Sequence, residues 1–261
     1  MDRAMRRLIA FPCAGERLLG TLDEASGETG LLIVSGGNEI RSGAHRGMAL
    51  LAARLAAAGV PVFRFDRRGV GDSSGENGGF LSSAPDIAAA AATFAAETGM
   101  RRLVAFGNCD AATALALFGQ CAGIDRLILA NPWVIEDTDA LPPAAAIRAR
   151  YAEKLKSPRE WLRLASGGVN LRSLVGGLRK ASQTRSPGED SLAARLIAAL
   201  DGWGVRATIL LAAGDATAIA FRDATKTATL AAPIETLDSP SHSFAREGDA
   251  DWLFERIIAA I

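Results

Sequence analysis

Apolar and polar residues alternate between two rhythms along this chain. Short runs rich in Leu, Ile and Val predict strands at 30–35, 60–66, 102–106, 124–130, 207–212 and 234–237. Longer Ala- and Leu-rich stretches with helical spacing predict helices at 46–58, 85–98, 111–118, 218–225 and 249–260. Gly59 stops the first of these, and Asp86 lies near the start of the second. Ahead of the alternation, residues 7–11 and 17–22 read as the arms of a β-hairpin. Its connection, Pro12-Cys13-Ala14-Gly15-Glu16, carries the Pro and Gly that turns favour. Strands alternating with helices imply an α/β protein, with a mostly parallel sheet flanked by helices on both faces and the hairpin as its antiparallel edge.

Residues 134–200 break the rhythm. They hold amphipathic helix candidates at 144–155, 158–165 and 171–178 and a polar stretch at 182–190. The stretch lies between two core strands, on the side where strand C-termini open. A helical cap inserted in a single domain, 1–261, is expected rather than a separate domain, because both ends of the stretch return to one sheet.

Lys plus Arg equals Asp plus Glu at 29 each, so no charge surplus points to nucleic acid or an acidic membrane surface. No apolar run reaches the ~18 residues of a membrane span, and the segment after Arg7 is broken by Pro12 and Glu16, unlike a signal peptide. A cytoplasmic protein is expected. The three cysteines, Cys13, Cys109 and Cys121, are too few and too scattered for a disulfide framework or a zinc site, and no metal or organic cofactor is expected. Cys13 is read as structural in the opening turn and Cys121 as core near the end of a helix.

Gly107-Asn108-Cys109-Asp110-Ala111 stands where strand 102–106 gives way to helix 111–118. Small residues two before and two after a central nucleophile are what a sharp strand-to-helix turn demands, because larger side chains would clash there. The sulfur of Cys109 would sit at a helix N-terminus, where unpaired N–H groups favour a thiolate. His242 follows the last strand, in the loop expected to hold a catalytic base. It is the only histidine after Cys109; His45, ahead of it, is read as structural or mouth-lining. Asp215 follows strand 207–212, the place for an acid that orients the imidazole, with Asp223 as the other candidate. An oxyanion hole would take one N–H from Asp110 and a second from Gly37 or Asn38, in the loop after strand 30–35. The run from Phe65 to Gly75 lacks the Gly-Lys-Ser/Thr ending of a phosphate loop and is expected to organise nearby turns.

The elbow, the Asp66-Arg67-Arg68-Gly69 run, Asp215 and His242 occur in the order of an α/β-hydrolase, and the chain resembles that superfamily over nearly its whole length. The elbow, together with Tyr151-Ala152-Glu153-Lys154-Leu155, Trp161-Leu162-Arg163-Leu164 and Gly168-Val169-Asn170-Leu171, resembles the exosortase A system-associated hydrolases of type 1. That resemblance implies a gene neighbourhood concerned with exopolysaccharide and protein sorting. Dienelactone hydrolases also carry an elbow cysteine. The oxyanion loop departs from the superfamily's His-Gly pattern by having Ser35-Gly36. The expected chemistry is attack by Cys109 on an ester or thioester carbonyl, with His242, oriented by Asp215, protonating the leaving group and then activating water. Acyl transfer on the same triad and a non-catalytic binding protein are the alternatives. The expected partner is a small-molecule acyl substrate, whose acyl group the Ala/Leu-rich cap with Trp161 and the nearby Trp133 suggests is partly apolar; a homodimer stays open.

Overall fold

The computed structural model describes residues 5–136 and 191–261. Most of the expected cap, including Trp161, lies outside the described residues. Strands β1 (Arg6–Cys13), β2 (Glu16–Asp23), β3 (Thr29–Val34), β4 (Val62–Phe65), β5 (Arg102–Asn108), β6 (Arg126–Ala130), β7 (Ala207–Ala212) and β8 (Ile234–Leu237) form one sheet in the order β1-β2-β4-β3-β5-β6-β7-β8. Pairing is antiparallel from β1 to β2 and from β2 to β4, and parallel between all later neighbours.

The opening hairpin is tighter than the sequence suggests. Pro12, Cys13 and Glu16 belong to its ladder, and only Ala14 and Gly15 turn the chain, both at positive φ (49° and 85°). Two left-handed residues give the turn whose twist matches antiparallel strands. Pro12 is tolerated because β1 is an edge strand.

Side chains of the central strands alternate between two cores, as a period of two requires. On β3, Leu32 and Val34 face one core, and Leu31 and Ile33 the other. Helices α2 (Ala84–Thr98), α3 (Asp110–Phe118), α4 (Leu192–Trp203) and α5 (Ala216–Thr225) cover the first face, and α1 (Gly47–Ala57) and α6 (Asp249–Ala260) the second. The last residues of the 134–200 stretch therefore lie in α4, whose Leu196, Leu200 and Trp203 are fully buried in the main core. No helix among the described residues is long and apolar enough to cross a membrane.

A buried polar network ties the edge hairpin to the loops above the sheet. Arg64 Nη2 meets Asp23 Oδ2 at 3.0 Å, both side chains being at most 4% exposed. Burial pulls the Arg64 guanidinium below its ordinary pKa, against the opposing pull of Asp23. Arg64 Nη1 also donates to the carbonyl of Arg41 (2.7 Å), and Arg41 pairs with Asp66 and Asp72. Asp66 Oδ1 accepts from Arg41 N (2.6 Å), and Oδ2 accepts from Asp72 N (3.2 Å). The Asp66 loop thus organises turns, as its sequence suggested. Replacing Asp23 with Ala strands a buried guanidinium. We expect a loss of about 3–5 kcal/mol in unfolding free energy, read by denaturant titration.

Candidate active site

Cys109 joins β5 to α3 with a backbone at φ 62° and ψ −129°, a region that a side chain disfavours. Its N–H donates to Ala130 O (3.0 Å), and its carbonyl accepts from Ala112 N (3.1 Å) and Trp133 N (3.2 Å). The turn leaves no room beside it. A Cβ on Gly107 would lie 2.9 Å from both Ala111 C and Leu115 Cδ1, and one on Gly36 would lie 2.6 Å from Asn108 O. Ala111 fits as the second small residue of the motif and is fully buried.

Asp215 and His242 reach the same place from two later strands. Asp215 caps α5, accepting from Thr217 N (3.1 Å) and Ala218 N (3.2 Å), which fixes its carboxylate. Its Oδ2 lies 3.1 Å from His242 Nδ1, and the imidazole also hydrogen-bonds Cys109. The Asp215 bond first, and the Cys109 bond second, raise the His242 pKa from 6.5 to about 10, while burial acts the other way. Sequence order therefore converges in space, with His242 between a carboxylate and a sulfur. Asp223 does not join them; it lies two turns into α5, where it pairs with Lys226 at 3.2 Å.

The loop after β3, expected to supply a second oxyanion N–H, is more tightly engaged than its sequence suggests. Gly37 N donates to the Asp110 carboxylate (Oδ1, 2.7 Å), and Gly37 O accepts from Arg67 Nη2. Asn38 turns its amide oxygen to Asn77 Nδ2 (2.8 Å). The N–H of Asp110 is the first of α3 and has no acceptor within the helix.

Two amides that sequence reasoning gave no role sit under the pair. Asn108 Nδ2 donates to the carbonyl of His242 (3.0 Å), and Asn131 Nδ2 donates to the same oxygen (3.2 Å) and to Asn108 Oδ1 (3.1 Å). The only signal for Asn131 was a polar residue closing an apolar strand run just before Pro132.

The other cysteines differ from Cys109. Cys13 is buried on β1, its Sγ 3.3 Å from Asp86 Oδ1, and burial pushes its thiol up to about 11. Cys121 is exposed rather than core, because α3 ends at Phe118 and the chain turns outward after Gly119. His45 is exposed in a left-handed turn (φ 52°) before α1. Trp133 is held by its own loop, its Nε1 donating to Ile135 O at 2.7 Å.

The family model described as serine aminopeptidase, S33 matches residues 29–231. No curated protein matches the chain. Among solved structures, the chain is similar to the α/β hydrolase GrgF from Penicillium sp. sh18, at TM-score 0.66 and 16% identity, covering 98% of this chain and 97% of that one. It is similar to the esterase Pf2001 of Pyrococcus furiosus, at TM-score 0.64 and 15% identity, covering 98% and 90%. It is also similar to the thioesterase domain from the curacin biosynthetic pathway, at TM-score 0.60 and 16% identity, covering 97% and 99%. At such identities the likeness is one of fold, and that fold is the α/β-hydrolase fold.

Asp215→Asn keeps a side chain able to cap α5 but removes the charge facing His242. By NMR titration, we expect the His242 pKa to fall from about 10 toward 6.5. A raised histidine pKa stabilises the fold fully below its unfolded value of 6.5, and that stabilisation fades as pH rises through about 10. The stability gap between wild type and Asp215→Asn is thus expected to be widest below pH 6.5 and to close toward pH 10, read by thermal unfolding across pH.

Proposed function

Since the chain belongs to the serine aminopeptidase S33 family and carries a thiol at its elbow, we propose that it is a cysteine-dependent hydrolase of ester or thioester bonds. The observation that carries this reading is the placement of His242, whose Nδ1 lies 3.1 Å from Asp215 Oδ2 and whose ring adjoins Cys109. In this reading His242 takes the proton of Cys109, and the thiolate is the nucleophile.

In the proposed cycle Cys109 Sγ attacks the carbonyl carbon, a C–S bond forms, and the carbonyl oxygen takes the negative charge. Asp110 N–H at the start of α3 stabilises that oxyanion, with a second N–H from the Gly37-Asn38 turn. Gly37 N serves only once the Asp110 carboxylate has left it. The adduct collapses, the leaving oxygen or sulfur takes the proton from His242, and an acyl-thioenzyme remains. Neutral His242 then removes a proton from water, the resulting hydroxide attacks the acyl carbon, and the departing thiolate restores the pair. Asp215 keeps the imidazole oriented throughout.

The esterase and thioesterase among the structural neighbours support acyl chemistry on this fold. The elbow and the 151–171 stretch support a place beside the exosortase A system-associated hydrolases, and so a gene neighbourhood concerned with exopolysaccharide and protein sorting. A second reading, removal of an N-terminal aminoacyl group, is favoured by one feature besides the family's description. The half-buried Asp110 carboxylate next to the nucleophile would pair with a substrate ammonium.

Intact-protein mass spectrometry with p-nitrophenyl esters, acyl thioesters and aminoacyl p-nitroanilides tests the proposal. We expect a transient acyl adduct on wild type and none on Cys109→Ala. His242→Ala should lower turnover by roughly 10³-fold or more. The acylation rate should fall on the alkaline side near pH 10, where His242 gives up its proton. Turnover by Cys109→Ala at the wild-type rate would refute the proposal, and transfer of the acyl group to added alcohol or amine in place of water would recast the protein as an acyltransferase.

A further inference from the structure

Each proposed catalytic side chain hangs from a different part of the sheet. Cys109 follows β5, Asp215 follows β7, and His242 lies beyond β8. Asn131 closes β6, between the first two of these strands, and is fully buried. Its backbone sits at φ 42°, a left-handed conformation that asparagine tolerates better than most residues.

Its side chain reaches all three neighbourhoods. Oδ1 accepts from Ala212 N at 2.9 Å, and Ala212 O in turn accepts from Asp215 N at 3.0 Å. Nδ2 donates to Asn108 Oδ1 (3.1 Å), one residue before Cys109, and to His242 O (3.2 Å). Asn108 Nδ2 gives that same carbonyl its second N–H (3.0 Å). The main chain extends the tie, since Asn131 N donates to Leu210 O (2.9 Å) and the preceding Ala130 O accepts from Cys109 N (3.0 Å).

A buried amide with its donors and acceptor satisfied fixes one geometry, because any slip leaves a desolvated polar group unpaired. An apolar residue would fill the space without setting the distance from the elbow to the His242 backbone. We propose that Asn131 is a positioning residue that registers Cys109, Asp215 and His242 against one another through the His242 carbonyl, with Asn108 as its second arm. The inference rests on the Cys109–His242 pairing of the proposed function, but not on which acyl bond is cleaved.

The test therefore reads Cys109 itself. Full-length protein is treated with iodoacetamide at pH 7, and alkylation is followed by peptide mass spectrometry, with exposed Cys121 as the internal reference. His242→Ala is expected to slow Cys109 because the imidazolium partner is gone. Asn131→Ala is expected to slow it about tenfold or more, and to add nothing further in the His242→Ala background. Where a substrate turns over, kcat falls and KM holds. Asn108→Ala, at a half-exposed site, is the companion variant should Asn131→Ala unfold. It is expected to slow Cys109 less and to show the same loss of effect without His242.

A wild-type Cys109 rate in folded Asn131→Ala, or in Asn108→Ala where that stands in, overturns the inference. So does an equal slowing whether or not His242 is present, which would mark a general loosening of the core. A wild-type Cys109 rate in His242→Ala overturns the pairing and the inference together, whereas a slow His242→Ala beside a fast Asn131→Ala leaves the proposed function standing.

Discussion

The site depends first on holding a cysteine in a backbone conformation that cysteine disfavours. Such a residue costs on the order of 1–3 kcal/mol and persists only where its surroundings leave no alternative. Here the surroundings are specific. Hydrogen bonds from the ends of neighbouring segments hold both polar backbone groups of Cys109. Gly107 and Gly36 let β5, the start of α3 and the oxyanion loop approach within distances that a Cβ would forbid. Buried alanines on α3 let the helix settle closely on the sheet. The turn places Cys109 at the N-terminus of α3, where the first N–H groups have no partner within the helix.

Environment then separates Cys13 from Cys109. Cys13 lies against Asp86 in the core, and burial together with the adjacent carboxylate keeps its proton on. Cys109 lies against an imidazole whose pKa Asp215 raises. A carboxylate beside a thiol disfavours the thiolate, whereas a carboxylate beside an imidazole favours the imidazolium. Asp110 adds a third arrangement, a carboxylate resting on a backbone N–H of the oxyanion loop. In the proposed mechanism this carboxylate occupies the N–H that a substrate oxyanion would need, so the side chain has to move before Gly37 N can serve.

Elements whose limits are set by local chemistry were legible in the sequence. Residues 207–212, 234–237 and 249–260 form their elements at the expected bounds, because apolar runs there are bracketed by turn-formers. The elbow was legible for the same reason, since a strained turn restricts its neighbours to small residues wherever it occurs. The hairpin turn and Cys121 were not. Pro12 sits in a strand only because that strand has no neighbour on its outer side among the described residues, and Cys121 is exposed because α3 stops before reaching it.

The sequence by itself determined which chemical groups are present and in what order: a thiol in an elbow, an acid after one strand, a base after the last. Steric and periodic constraints act over a few residues, so they leave a local trace. Tertiary structure decided which of these groups meet and what else they bind. Asp215 rather than Asp223 faces His242 because β7 ends where its helix cap points at the His242 loop. Gly37 faces a carboxylate, and Asn131 reaches residues 23, 81 and 111 positions away, because parallel strands bring distant chain ends side by side. Hydrogen bonds across such separations are fixed by the packing of the whole sheet, and no local stretch of sequence encodes them.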